Sequence, residues 1–401
     1  MNLKKILLIA LVFVTVAGGV MTMNSCASIG KRAKGARLEV MKASPNWHDG
    51  KFVNPLSSVE PKLFESLRKW MRRADNTVPK TPLPVVTRAM SDFEVPPASG
   101  LRITWLGHST LLVEIDGHRV LIDPVWSERP SPFKWMGPKR FHKTPLTIDE
   151  LPTIDAVIIS HDHYDHLDYH FVQKFGNRTP LYIVPLGVGA HLEHWGVSSE
   201  RIIERDWWEE VTLGHLTFTA TPARHFSGRS HVMTDKQKTL WSGWVIAGPE
   251  HRIFYSGDTG MFPGFIDIGE RFGPFDAVLI EIGAYDQLWA DLHIGPEQAI
   301  QARLALGSGL FIPVHWGSFE LAMHAWTEPV ERALTAAEKA GVPISVPKPG
   351  ESIEPANPPQ VARWWPSISW QTAEEAPVVS SGIEQPHLTT LKPTSITEAV
   401  R

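Results

Sequence analysis

Cysteine is almost missing from this chain of 401 residues; there is one, Cys26. A single cysteine forms no internal disulfide and supplies no cysteine-rich metal cage. Any metal must therefore rest on histidine and carboxylate, and the chain has 18 His and 43 Asp plus Glu. An excess of positive charge is missing too. Lys and Arg together number 39 and the formal net charge is −4, so the sequence carries no electrostatic footprint for nucleic acid. Nor is the composition that of a disordered chain. With 43% hydrophobic and 20% charged residues it reads as globular protein, long enough for one large domain or two smaller ones.

A long apolar run is also lacking. Ile6 to Val20 is short for a comfortable membrane span, and it follows Lys4 and Lys5, as the core of a signal peptide does. Cys26 comes shortly after, behind Met23-Asn24-Ser25. This arrangement resembles a bacterial lipoprotein signal, in which cleavage leaves the cysteine as a lipidated first residue. Residues 1–25 are then a signal peptide, and the body is exported and held at a membrane, on the periplasmic or outer-membrane face. The alternatives are an uncleaved anchor and cleavage without lipid.

Residues 26–98 form a poorly patterned extension. Within it, "PKLFESLRKWMRR" (61–73) sets Leu63, Phe64, Leu67, Trp70 and Met71 at helical spacing on one face, edged by Lys62, Arg68, Lys69, Arg72 and Arg73. Such a helix either docks on its own domain, the favoured expectation, or lies on a membrane surface. From Leu101 the texture changes to strands broken by glycine turns, with Asp116-Gly117 as a hairpin signal. Further strands are predicted at 156–160, 181–185, 216–223, 244–248, 252–257, 277–283 and 310–316. Helices are predicted at 295–306, with Pro296 in the first turn, and at 328–341, closed by Gly341. Two sets of strands with covering helices suggest a layered α/β sandwich over 99–350. After Glu351 the chain turns rich in Pro, Ser and Thr, and 351–401 is expected to be a loose tail that Trp364, Trp365 and Trp370 pin in part.

One stretch concentrates charge beyond what a fold requires. In "VIISHDHYDHLD" three histidines and three aspartates occupy residues 161–168, directly after an apolar strand. Charge at that density is costly to bury unless it is paired. Residues 161, 163 and 165 of an extended loop point roughly one way, and His166 adds a fourth donor. Imidazole and carboxylate suit a borderline divalent ion. Four donors so close fit two neighbouring ions better than one. Other strand ends offer the remaining ligands: His225 in "TPARHFSG", Asp258 in "YSGDTG" and His315 in "PVHWGS". That gives His161, His163 and His225 to one ion, Asp165, His166 and His315 to the other, and lets Asp258 bridge. Asp162 and Tyr164, between ligands, are expected to support or shape the loop. For the scattered histidines (48, 142, 170, 191, 194, 231, 251 and 387) a surface or satisfied core position is expected.

The His161-x-His163-x-Asp165-His166 pattern resembles the metallo-β-lactamase superfamily. Stretches in order along the chain narrow the resemblance to its N-acyl-phosphatidylethanolamine-hydrolysing phospholipase D family: "TWLGHSTLLVE" (104–114), "GPKRFHKTP" (137–145), "DWWEE" (206–210), "SGDTG" (256–260), "RFGPFDAVLIEIGAYD" (271–286), "HIGPEQA" (293–299) and "VHWGSF" (314–319). The resemblance implies a four-layer αββα sandwich, two Zn²⁺ ions on the ligands just named, and Asp258 as their catalytic bridge. It also implies that His293 orients substrate phosphate or assists proton transfer, a structural role being the alternative. The segment 225–241 is slightly longer than the family's usual loop and could line the cleft.

The activity implied is hydrolysis of N-acyl-phosphatidylethanolamine, by a metal-bridging hydroxide, to N-acylethanolamine and phosphatidic acid. The membrane phospholipid is then the substrate, and a lipid on Cys26 holds the enzyme to the membrane surface. Two rivals remain at this level: a metallohydrolase of the same fold acting on a soluble phosphodiester or a (sugar-phosphate) lactone, and a non-catalytic, metal-stabilised lipid-binding lipoprotein. No nucleic-acid partner is expected, and the oligomeric state is open.

Overall fold

The computed structural model describes residues 27–59, 62–178, 181–230 and 234–383. The signal segment with Cys26, His231 and the tail beyond residue 383 with His387 lie outside the described residues. The extension contributes helix α1 (Ala36–Ala43), the two short strands β1 (Trp47–His48) and β2 (Lys51–Phe52), and helix α2 (Leu63–Trp70).

The body begins with β3 (Leu101–Gly107), β4 (Thr110–Ile115), β5 (His118–Ile122) and β6 (Ala156–Ile158). Helix α3 (Tyr169–Phe175), β7 (Leu181–Pro185), α4 (Gly189–His194) and β8 (Ile202–Arg205) follow. Next come β9 (Glu210–Leu213), β10 (Leu216–Thr221), β11 (Gly243–Ala247), β12 (Arg252–Tyr255) and α5 (Gly264–Phe272). The chain then forms β13 (Ala277–Glu281), α6 (Pro296–Ala305), β14 (Leu310–Val314), α7 (Glu328–Ala340) and β15 (Ser352–Ile353).

Two mixed sheets result, in the orders β15-β3-β4-β5-β6-β7-β8 and β14-β13-β12-β11-β10-β9. Alternation along the first sheet sorts its side chains. Ile103, Trp105, Leu111, Val113, Val120, Ile122 and Ile158 join a core shared with the second sheet. Leu106, Leu112, Leu121, Val157, Tyr182 and Val184 face the other way, onto Phe171, Val172 and Leu192 of α3 and α4. Strands of period two with one residue set per face must do this. On the far side of the second sheet, Phe265 and Ile268 of α5, Ala299 and Ala302 of α6, and Val330 and Ala333 of α7 close the shared core. The layers are therefore helix, sheet, sheet, helix.

The Asp116-Gly117 signal holds: Ile115 pairs with His118 across the turn between β4 and β5. Helices α6 and α7 fall where their proline and glycine boundaries put them, with Gly341 in the left-handed region at φ 65°.

Two expectations need correction. The tail is not loose as far as residue 383. Ser352 and Ile353 pair with Thr104 and Ile103, so the sheet crosses the expected boundary at 350. Farther on, Trp365 is buried against Trp316, edge to face at 5.5 Å, and its indole N–H donates to Glu331 Oε1 at 2.8 Å. Helix α2, in turn, does not bury its apolar face. Phe64 is 85% exposed and Trp70 55%, with Leu67 and Met71 exposed beside them. Among the described residues no helix is long and apolar enough to cross a membrane.

The first described residues are fastened to the body. Trp195 Nε1 donates to Ala27 O at 2.7 Å. The buried Arg229 donates to Ser28 O through Nε and Nη2, at 3.1 and 2.8 Å. Its other guanidinium nitrogen, Nη1, donates to Asp162 O and Leu167 O inside the histidine-rich loop.

Candidate metal centre

The chemistry-bearing residues sit on one rim, at the carboxyl ends of strands. Residues 161–166 follow β6, His225 lies past β10, Asp258 past β12, and His315 directly after β14. Gly257, just before Asp258, has φ 57°, and a Cβ there would lie 2.8 Å from Ser242 O and from Ser160 Cβ. Glycine is required for Asp258 to come this close to the histidine loop. His315 itself has a positive φ of 62°, a strained state for a residue with a side chain, as strand-end sites often store.

The structure brings all seven expected ligands together. His161 Nε2 and His163 Nδ1 are 2.9 Å apart, and His225 Nε2 is 3.3 Å from the same His163 nitrogen. Asp258 Oδ2 lies 3.7 and 3.8 Å from the His161 and His225 nitrogens. On the second side, His315 Nε2 is 3.2 Å from both Asp165 Oδ2 and Asp258 Oδ2. His166 Nε2 is 3.1 Å from Asp258 Oδ2 and 3.6 Å from Asp165 Oδ2. Ligand atoms on one tetrahedral zinc with bonds of 2.0–2.1 Å are roughly 3.3 Å apart, so both groups have the spacing of an ion's coordination shell.

The nitrogens not needed for metal are held from behind. Asp123 Oδ2 is 2.7 Å from His166 Nδ1, Leu292 O is 2.8 Å from His225 Nδ1, and Ser160 Oγ is 3.0 Å from His161 Nδ1. Each contact fixes its ring so that Nε2 faces the cluster. His166 Nε2 and Asp258 Oδ1 are buried without a hydrogen-bond partner, which an orphaned pair of ligand atoms would be. Burial, reinforced by neighbouring histidines, holds His161 and His225 neutral, well below the ordinary imidazole range. Burial would do the same to His315, but Asp258 and Asp165 beside it push it up to about 10. The same two carboxylates lift His166 against its burial. The second group thus calls for positive charge, which a divalent ion supplies. Donor chemistry, orphaned atoms and spacing all fit metal.

Three residues join the site that sequence reasoning left out. Asp123, after β5, is wholly buried and accepts from Ser160 N and Oγ and from the Tyr255 hydroxyl as well as binding His166. His108, between β3 and β4, places Nε2 3.0 Å from Asp165 Oδ2 and groups with Asp165, His166 and His315. Glu281 ends β13, with His293 Nδ1 2.8 Å from its Oε2. For the two carboxylates the available signal was a lone polar residue closing an apolar strand, as in "VLIDP" and "VLIEI".

Asp162 shapes the loop: it accepts from Gly228 N–H at 2.7 Å and the Thr239 hydroxyl at 2.9 Å. The Tyr164 hydroxyl donates to Arg229 O, and the Arg229 guanidinium lies over its ring at 4.0 Å. His142 is a satisfied core residue on Lys143 O and Ser318 Oγ. From the 225–241 segment, Phe226 lines the metal cleft.

Comparison with known proteins agrees with this geometry. Residues 118–316 match the model of the beta-lactamase superfamily domain. An uncharacterised protein of Mycobacterium tuberculosis is 45% identical over 84% of this chain and 92% of its own length. The N-acyl-phosphatidylethanolamine-hydrolyzing phospholipase D 1 of Caenorhabditis elegans is 36% identical over 62% of this chain and 72% of its own length. The chain belongs to the metallo-β-lactamase superfamily, in the family of the N-acyl-phosphatidylethanolamine-hydrolyzing phospholipases D. A solved isothiocyanate hydrolase from Delia radicum gut bacteria shares the fold, with TM-score 0.50 and 21% identity over 63% of this chain and 98% of that one. The protein is thus a metal-dependent hydrolase of this fold.

Proposed function

We propose that this hydrolase is a phospholipase D that cleaves N-acyl-phosphatidylethanolamine to N-acylethanolamine and phosphatidic acid. One observation carries the reading beyond family membership. The metal cleft, about 290 Å³, has Trp289 and Leu321 in its wall. The same two residues line a neighbouring groove of about 450 Å³, whose other side is Leu67 and Trp70 of α2. An apolar passage from an exposed amphipathic helix to a metal centre suits a substrate with its phosphate at the ions and its acyl chains in the groove.

Two Zn²⁺ ions, one on His161, His163 and His225 and one on Asp165, His166 and His315 with Asp258 shared, would supply an activated water and a Lewis acid for phosphorus. The chain's own residues do the rest. Asp123 and Ser160 hold the rings of His166 and His161, Phe226 and Leu292 line the cleft with apolar surface, and His293 faces it. The reading includes export and a membrane location through a lipid on Cys26.

Product analysis by mass spectrometry tests it. Detergent-solubilised, metal-replete protein is incubated with a bacterial lipid extract containing N-acylated phosphatidylethanolamine, with and without chelator. N-acylethanolamine and phosphatidic acid should accumulate only without chelator. Turnover of small lactones or soluble phosphodiesters with no phospholipid cleavage would move the substrate elsewhere.

A further inference from the structure

Glu281 is wholly buried at the end of β13, beside the metal centre but outside its expected ligand set. A carboxylate in such a place is costly unless donors converge on it. Here they do. The Thr259 N–H, next to Asp258, donates to Oε1. His293 Nδ1 lies 2.8 Å from Oε2, whereas His315 Nδ1, 3.8 Å from the same oxygen, is too far to donate to it. The backbone N–H of Glu281 is itself fixed, 3.2 Å from Ser256 Oγ. His293 comes from the turn before α6, and its side chain keeps 16% of its surface exposed, in the wall of the metal cleft.

We infer that Glu281 is a positioning residue that fixes His293 by its Nδ1–H, so that Nε2 faces the cleft as the proton carrier between attacking water and leaving oxygen. With the carboxylate accepting at Nδ1, the neutral ring has its lone pair on Nε2. When water attacks phosphorus, a new O–P bond forms and the P–O bond to the ethanolamide oxygen breaks. The proton released by the water passes to Nε2 and from there to the departing alkoxide. His293 ends as it began, and its Nδ1–H keeps donating to Glu281 Oε2 throughout. The inference rests on the phosphodiesterase reading above.

Glutamine cannot take the place of this glutamate. Both oxygens of Glu281 accept, one from Thr259 N–H and one from His293. An amide offers one acceptor and one donor group, so either Thr259 N–H or His293 Nδ1–H would face a second donor. Glu281→Gln is therefore isosteric but leaves either the Asp258 turn or His293 unpaired.

The test compares two substrates sharing a phosphatidyl group, N-acylphosphatidylethanolamine and phosphatidyl-p-nitrophenol. The nitrophenolate leaves without a proton, whereas the alkoxide needs one. Glu281→Gln should lower kcat on the first by about 10–100-fold and by distinctly less on the second, where His293 has only to take the water's proton. In a His293→Gln background, adding Glu281→Gln should cost nothing further, because the residues act as one unit. Bound metal, measured by mass spectrometry, should stay at the wild-type stoichiometry. Equal losses on both substrates, additive losses in the double variant, or metal loss that accounts for the defect would each overturn the proposal.

A failure of the substrate reading looks different: wild-type protein would cleave neither phospholipid. Even then, ¹⁵N NMR of the metal-loaded protein decides the positioning claim. The His293 proton should reside on Nδ1 in the wild type and shift in Glu281→Gln. A wild-type proton on Nε2 would sink the claim.

Discussion

At the scale of single residues, Asp123 illustrates how a group outside the expected ligand set would govern a metal held there. It is 43 residues from His166 in sequence yet 2.7 Å away in space, and it also receives Ser160 and Tyr255. Asp123→Asn keeps the shape but places an amide against His166 Nδ1. The expected result is about 10–100-fold weaker metal binding with the fold retained, read by competition with a chromogenic chelator. Undiminished affinity would mean that the ring is held by other means. The ligands themselves were legible in the sequence because residues 161–166 crowd ionisable chemistry into one loop. Asp123, His108 and Glu281 were not, because their partners come from loops and turns elsewhere in the chain. A carboxylate inside "VLIEI" reads as an ordinary outward-facing strand position until the second sheet is known to pack both ways.

At the scale of elements, legibility tracked how fully each strand or helix is buried. The strands β3 to β7 and β10 to β14 carry unbroken apolar or alternating patterns, and all were expected near their observed positions. Strands β8 and β9 were not, since "IIER" and "EVTL" are half-buried edge segments without a clean period. Helix α5 was hidden by its two glycines, which weaken any helical reading. The tail shows the reverse error. Its Pro- and Ser-rich composition is that of loose chain, yet a few large side chains hold it down. Trp364 and Trp365 pack on Trp316, which directly follows His315, one of the expected ligands. Trp365→Ala should therefore destabilise the metal-loaded protein by about 3–5 kcal/mol, as large-to-small changes in cores do. Urea unfolding measures it, and a change below about 1 kcal/mol would show that the tail merely rests on the surface.

At the scale of the whole molecule, the exposed apolar face of α2 and the metal cleft lie on one side, joined by Trp289 and Leu321. Several cations in and around α2 are already engaged: Lys62 with Glu65, Lys69 with Asp286 and Arg73 with Glu320. Apolar insertion, more than charge, should then hold this face to lipid. Phe64→Ser with Met71→Ser, both exposed and outside the groove, is expected to lower partition of the body, residues 27–401, onto liposomes by at least about 10-fold, seen by flotation. Hydrolysis of detergent-dispersed lipid should persist. Unchanged flotation would assign membrane contact to another surface.

The fastening of Ala27 and Ser28 by Trp195 and Arg229 has a mechanical meaning. In the sequence Cys26 directly precedes Ala27, the first secured residue, and consecutive Cα atoms across a trans peptide are about 3.8 Å apart. With a lipid on that cysteine, the tether has no slack. The body could not tumble at the end of a leash; it would swivel about a single fixed point, as on a short hinge pin. Because Arg229 also grips the backbone of the histidine loop, that pin is set against the loop that carries four of the expected ligands. Substrate would then be met by sliding in the plane of the leaflet, with distance to the bilayer already fixed by the first two residues of the body.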